Sequence, residues 1–246
     1  MDDLALAASL VRAAGELAAH MLAEGLTVRQ KTSISDVVSA ADHAAEELVV
    51  RRLRAERPDD GILGEEGTSH TGSGRTWYVD PVDGTYNFLS GLPLWCSAIA
   101  LDEQVGAVYQ PAVDELWAGG AEAPTTRNGV PVGRIVDRPL ADISLSTYLH
   151  PTALPDDSLR LPWLRVVQGA ATVRMLGSGS VEAAAVAAGR LGASVQRDVL
   201  PWDWLPGVAL VRGAGGTAQV VDVNGHSWHV LGNRQAVGEI CDLILS

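Results

Sequence analysis

Two carboxylates stand three residues apart in Asp80-Pro81-Val82-Asp83-Gly84-Thr85-Tyr86-Asn87-Phe88, directly after the β-prone run Thr76-Trp77-Tyr78-Val79. A strand delivers Asp80, and Pro81 breaks its ladder into a turn. Asp83-Gly84-Thr85 then starts a helix, with Asp83 as N-cap. Both carboxylates and the free N–H groups of a helix start face one volume. Carboxylate oxygens hold hard cations such as Mg²⁺, and helix-start amides hold phosphate. A metal–phosphate site uses every part of the segment. Taken alone, the segment is equally an Asp-Pro-Gly turn, so two further acidic segments decide.

The first is Ile62-Leu63-Gly64-Glu65-Glu66-Gly67, a short apolar run ending in adjacent carboxylates. As strand residues, Glu65 and Glu66 point to opposite faces, one into the metal volume and one behind it. The second is Pro201-Trp202-Asp203-Trp204-Leu205-Pro206-Gly207, an acid between aromatics at the head of an apolar helical run that closes in Gly215-Gly216. Asp203 serves there as N-cap, as ligand, or as both. Each segment alone is no more than a solvated strand end or a cap.

Together the three segments resemble the inositol monophosphatase family, within the magnesium-dependent, lithium-sensitive phosphatases that include fructose-1,6-bisphosphatases. The match runs over Gly64-Glu65-Glu66, Asp80-Pro81-Val82-Asp83-Gly84-Thr85 with Asn87, Phe88, Gly91 and Pro93, and Trp202-Asp203 with Gly207 and Ala214-Gly215-Gly216. An N-terminal match places Lys31 in a loop and Asp36-Val37-Val38-Ser39-Ala40-Ala41-Asp42 ahead of a helix. The resemblance covers essentially the whole chain.

The resemblance implies a layered α/β sandwich, α-β-α-β-α, with two or three Mg²⁺ ions (or Mn²⁺). It implies that Glu65, Asp80 and the Val82 carbonyl hold one ion and that Asp80, Asp83 and Asp203 hold a second. A third leans on Glu65, while Glu66 and Lys31 stand behind the ligands. Thr85 and Asp42 orient the nucleophilic water, and the N–H groups of Gly84 and Thr85 grip the phosphate. Asp83, the small-residue turn Gly177-Ser178-Gly179 and residue 196 face the alcohol. Many inositol-type members carry glutamate at this last position; here it is Gln196, which keeps hydrogen bonding without the charge. The implied activity is hydrolysis of a small phosphate monoester, such as an inositol or related polyol or sugar phosphate. Histidinol phosphate, a 3′-phosphonucleotide, fructose bisphosphate and a specialised-metabolite phosphate are alternatives. A regulatory binding protein that kept the fold is the reading of another class. The implied assembly is a homodimer.

Composition agrees. The 246 residues are 47% hydrophobic and can bury a substantial core. A formal charge of −12 argues against nucleic acid and anionic membranes as partners, but not against a phosphorylated small molecule beside bound cations. No apolar run is long enough to span a bilayer. The acidic start Met1-Asp2-Asp3-Leu4 lacks the basic region of a signal peptide. Cys96 and Cys241, the only two cysteines, lack metal-ligand spacing, and a cytoplasmic protein with free thiols is expected.

The elements that must position these residues read as follows. Helices are expected over 3–24, 40–56, 178–190, 204–214 and 234–245, with a short one from 84. A hairpin is expected around Val28 to Val38. Strands are expected near 61–65, 76–80, 95–101, 105–109, 115–119, 143–147, 164–168, 193–197, 217–221 and 228–231. Ala121–Thr126 reads as loop, Asn128-Gly129 as a turn, and the proline-bearing 150–162 as irregular. A boundary near Val136–Leu140 divides an N-terminal part, 1–138, that binds metal and phosphate from a C-terminal part, 139–246, that completes the site.

Overall fold

Alternating apolar and helical-period segments fold into five layers. The computed structural model describes residues 1–24, 28–30 and 37–246; Lys31 lies outside the described residues. In chain order the elements begin with α1 (Asp3–Glu24), β1 (Val28–Gln30), β2 (Val37–Ser39) and α2 (Ala40–Glu56). There follow β3 (Gly61–Gly64), β4 (Ser69–His70), β5 (Thr76–Asp83), α3 (Thr85–Leu89), β6 (Cys96–Leu101), β7 (Val105–Gln110) and β8 (Glu115–Gly120). Next come β9 (Ala123–Arg127), β10 (Val130–Pro131), β11 (Ser144–Thr147), α4 (Asp157–Gly169), β12 (Thr172–Arg174) and α5 (Gly179–Ala187). The chain ends with β13 (Ala193–Arg197), α6 (Pro201–Gly213), β14 (Thr217–Val223), β15 (His226–Gly232) and α7 (Arg234–Leu245).

Eight strands form one sheet in the order β10-β9-β8-β7-β6-β5-β3-β4, and five form a second, β12-β11-β13-β15-β14. The short pair β1–β2 stands apart as the expected hairpin. Helices α1 and α2 cover one face of the large sheet, where Leu6, Leu10 and Val49 pack on Trp77, Val79 and Ile99. Helices α5 and α6 fill the space between the sheets, with Val186 and Leu210 against Val108 and Trp117 on one side and Leu231 on the other. Helices α4 and α7 cover the outer face of the second sheet through Val166, Val237 and Ile240. This is the α-β-α-β-α sandwich expected from the sequence.

Four expectations need correction. Residues 164–168 are helical, the second half of α4, because Val166 faces the core and the Arg165 guanidinium donates to the Leu243 carbonyl, docking the helix on α7. That helix starts at Asp157, capped by Asp156, so 150–162 is not wholly irregular. Ala123–Arg127 is a strand, not loop, and turns through Asn128-Gly129, both at positive φ, into β10. Strand β5 does not stop at Pro81 but runs through it to Asp83.

Candidate active site

The passage of β5 through Pro81 creates the site's shape. Asp80 pairs with Ala98 on β6, while Asp83, three residues on, pairs with Cys96, only two residues back along that strand. One extra residue on β5 makes a bulge, which bends the strand and re-aims its side chains. The Pro81 carbonyl, pushed out of the ladder, accepts the Ser97 hydroxyl at 2.5 Å. Asp80 and Asp83 thereby reach one volume although they lie on one strand.

Asp83 does not cap the helix that follows it. Gly84 is the N-cap of α3, at φ 95°, and a side chain there would strain the backbone and come within 3.0 Å of the Leu94 carbonyl. The Asp83 carboxylate instead reaches the start of α5, where Oδ1 accepts Gly179 N–H (3.2 Å) and Oδ2 accepts Ser180 N–H (2.5 Å). An acid at a helix start gains from the helix dipole. Ser178 is the true N-cap of α5, accepting Val181 N–H. Gly177-Ser178-Gly179 is thus a helix entry held against the β5 bulge. Asn87 ties the same corner, its Nδ2 donating to the carbonyls of Leu94 and Leu176 at 2.7 Å each.

The third carboxylate comes from α6. That helix begins at Pro201, so Asp203 sits inside its first turn rather than at the cap, and its Oδ2 folds back to accept Leu200 N–H at 3.2 Å. One carboxylate oxygen each from Asp80, Asp83 and Asp203 lie within 4.8 Å of one another. Burial pushes all three acids toward protonation, and repulsion by neighbouring carboxylates adds to it at Asp80 and Asp203. Asp203 rises to about 7, through burial and then the Asp83 charge, opposed by the Leu200 N–H. Asp80 is raised well above the ordinary range by burial, then by Glu65, Asp83 and Asp203. Its Oδ1 is buried with no hydrogen-bond partner. For Asp83, burial outweighs the amide bonds from Ser180 and Gly179. A divalent cation answers all of these at once: it neutralises the charges and uses the orphaned oxygen.

Glu65 and Glu66 lie in a turn after β3, not on a strand. The Glu65 N–H donates to the Val79 carbonyl at 3.1 Å, which sets Glu65 beside Asp80, and the two carboxyls share a hydrogen bond. More than a third of Glu65 is open to solvent, yet its carboxyl is crowded by protein and by Asp203, which pushes it up to about 8. Glu66 turns away to meet His43 Nδ1 at 3.3 Å. Asp42, in the first turn of α2, is buried and adds to the field at Glu65. Thr85 Oγ1 donates to the Val82 carbonyl at 3.1 Å.

Two functional side chains escaped the sequence reading. Glu46 lies one helical turn after Asp42 on the buried face of α2. Its carboxylate accepts Glu66 N–H (2.8 Å) and Thr68 N–H (3.1 Å), which shapes the turn that carries Glu65. Gly64 makes room for it, since a Cβ at that position would lie 2.3 Å from Glu46 Oε2. The signal was an acid on the apolar face of a helix. Glu46→Gln removes one acceptor from this pair of amides. We expect kcat/KM to fall roughly tenfold or more, with a higher Mg²⁺ concentration needed for half-maximal rate. Unchanged metal dependence would show that the turn holds without Glu46.

The other is Glu182, buried in α5, which accepts Leu176 N–H at 2.9 Å and the Gln196 Nε2 at 3.1 Å. Burial lifts it to about 7, against the opposing bonds from Leu176 and Gln196. Gln196 therefore spends its amide N–H₂ on a buried acid. A glutamate at 196 would confront Glu182 with a second carboxyl, which gives the departure from glutamate a local reason.

The family model for the inositol monophosphatase family matches residues 2–240. The chain is 39% identical to an inositol-1-monophosphatase of Rhizobium meliloti over 191 residues, 74% of this chain and 71% of that protein. It is 35% identical to a histidinol-phosphatase of Mycobacterium tuberculosis over 237 residues, 90% of this chain and 88% of that one. An inositol monophosphatase structure from Thermotoga maritima superposes with a TM-score of 0.85 at 28% identity, covering 100% of this chain and 97% of that one. The chain belongs to the inositol monophosphatase family and is by that membership a phosphoric monoester hydrolase.

Proposed function

We propose that the chain hydrolyses a small polyol or sugar phosphate, inositol monophosphates included, with Mg²⁺ (or Mn²⁺) held at the acidic cluster. One observation carries the reading: three aspartates from two distant parts of the chain converge within 4.8 Å around a buried, partnerless Asp80 oxygen. Asp80, Asp83 and Asp203, with Glu65 and the Val82 carbonyl, are the groups that would hold two or three ions. Bound cations lower the pKa of water and neutralise phosphate charge.

The remaining roles fall to the chain itself. Thr85 donates its hydroxyl proton to Val82, so its own lone pairs are turned outward to accept from a water. Asp42, buried in the first turn of α2, takes the role of proton acceptor. Gly84 and Thr85 offer backbone N–H groups to the phosphate. Glu66 supports the cluster from behind, a role that Lys31, outside the described residues, would share. Gly177, Ser178, Gly179 and Gln196, with Asp83, line the alcohol end. The neutral amide of Gln196 favours an uncharged polyol over a cationic amino alcohol such as histidinol.

The reading includes a homodimer and a cytoplasmic location. Both cysteines are free and buried, and among the described residues no helix is long and apolar enough to cross a membrane. Sedimentation at the single-chain mass would remove the dimer. The activity is tested by phosphate release from inositol 1-phosphate, fructose 1,6-bisphosphate, histidinol phosphate and a 3′-phosphonucleotide, with Mg²⁺ and with EDTA. We expect Mg²⁺-dependent turnover, with inositol or sugar phosphate ahead of histidinol phosphate. Turnover undiminished after exhaustive chelation defeats the metal reading, and histidinol phosphate in first place defeats the substrate reading.

A further inference from the structure

At the opposite end of α5 from Asp83, a cleft of about 490 Å³ opens between the link that precedes β11 and the α5–β13 turn. Its lining carries Arg134, Arg138 and Arg190, with Ser144 on the wall and Asp142 as the one acid. Arg190 is already neutralised, since its two terminal nitrogens meet both oxygens of Glu115, which Arg127 also pairs with. Arg134 and Arg138 differ. Among the described residues neither guanidinium has a carboxylate within ion-pair reach, unlike Arg12, Arg57, Arg75, Arg160 and Arg212; Arg51, Arg54, Arg165, Arg174 and Arg234 share that state, but Arg134 and Arg138 line this cleft together. Set against Asp142, the two leave the cleft positive in a chain of net charge −12.

Their placement is fixed from the backbone. The Ile135 N–H donates to the Ala214 carbonyl at the end of α6, and the Arg138 N–H donates to Asn233 Oδ1. Arg134 packs over Gly215, where a Cβ would come within 3.0 Å of its Nη2. The two arginines are thus carried on a segment tied at both ends, and both line a volume that suits a small ligand. Planar guanidinium forks match phosphate oxygens two at a time. The cleft is too small and too local for a nucleic-acid backbone, and its arginine lining does not suit an apolar ligand.

We propose that this cleft is a second anion site that binds a small phosphorylated molecule through Arg134 and Arg138, separate from the acidic cluster. The ligand is held by its phosphate, and Ser144 adds a hydroxyl. The test is isothermal titration of the full-length chain with inorganic phosphate and, separately, with AMP, in EDTA, where the metal-free acidic cluster repels anions. We expect saturable binding with a dissociation constant of about 1 mM or tighter, as two charge-assisted forks supply, weakening as salt rises. Arg134→Gln/Arg138→Gln should weaken it at least about tenfold, while Asp203→Asn leaves it unchanged. Arg138→Gln alone, at an exposed side chain, gives the same direction should the double variant fold poorly. Tighter AMP binding identifies an organic phosphate and equal affinities identify the phosphate group alone; either supports the site. Absence of saturable binding by both probes, or equal binding by the arginine variants, overturns it.

Discussion

Asp80→Asn should lose at least about a thousandfold in kcat, roughly 4 kcal/mol of barrier, while the metal-free protein becomes no less stable. The two halves of this result have one cause. Asp80 is buried, one of its oxygens has no partner, and Glu65, Asp83 and Asp203 all repel its charge. An amide keeps the shape and removes the repulsion, so the fold gains or holds. The same change removes the central charge of the proposed cation site. Stored repulsion of this kind is tolerated at functional sites because the ligand releases it. The measurements are kcat at saturating Mg²⁺ and Tm in EDTA for both proteins. Near-normal turnover in a folded Asp80→Asn protein would falsify the assignment.

The second large effect is a pH dependence that reverses with metal. The cluster acids are raised in the folded chain, Asp203 to about 7 and Glu65 to about 8. In the unfolded chain they titrate near the ordinary carboxylate values, about 4. Between those limits the folded state binds more protons than the unfolded one, so stability falls as pH rises. In EDTA, Tm should therefore decline from pH 5 to pH 8, with each kcal/mol worth roughly 2–4 °C for a chain of this size. With Mg²⁺ in excess the carboxylates are held ionised, and the decline should flatten or invert. The Mg²⁺-induced rise in Tm should accordingly be larger at pH 8 than at pH 5. A rise independent of pH would mean that these acids do not hold the cation.

Local signals in the sequence were sufficient for the acids and for most elements. Asp80, Asp83 and Asp203 stand in short strings whose neighbours announce a strand end or a helix start, and α2, β13 and α7 fall where periodicity puts them. The errors arose where a distant partner decides. Pro81 does not end β5, because Ser97 on the next strand takes its carbonyl and β6 absorbs the bulge. Asp83 looks like a cap for the helix that follows, but the amides it serves lie 96 and 97 residues onward. Residues 164–168 include the β-branched Val166 and Val167 and yet are helical, because α7 supplies the surface that Val166 needs. Glu46 and Glu182 were missed for the same reason, although Glu46 shows in the sequence as an acid on an apolar helix face. A buried acid is identified by the amides it satisfies, and those amides belong to other segments.

The bond from Asp83 to α5 has a consequence for how the molecule comes into being. Strand β5 belongs to the large sheet, while α5 and α6 are sandwiched between it and the second sheet. The three aspartates meet only when that sandwich has closed. A chain stalled with the large sheet formed and the inner helices undocked would keep Glu65, Asp80 and Asp83 but lack Asp203, so the cluster of three aspartates would be incomplete. A cation that needs all three aspartates would therefore mark a finished molecule, because Asp203 joins Asp80 and Asp83 only once the inner helices have docked between the sheets.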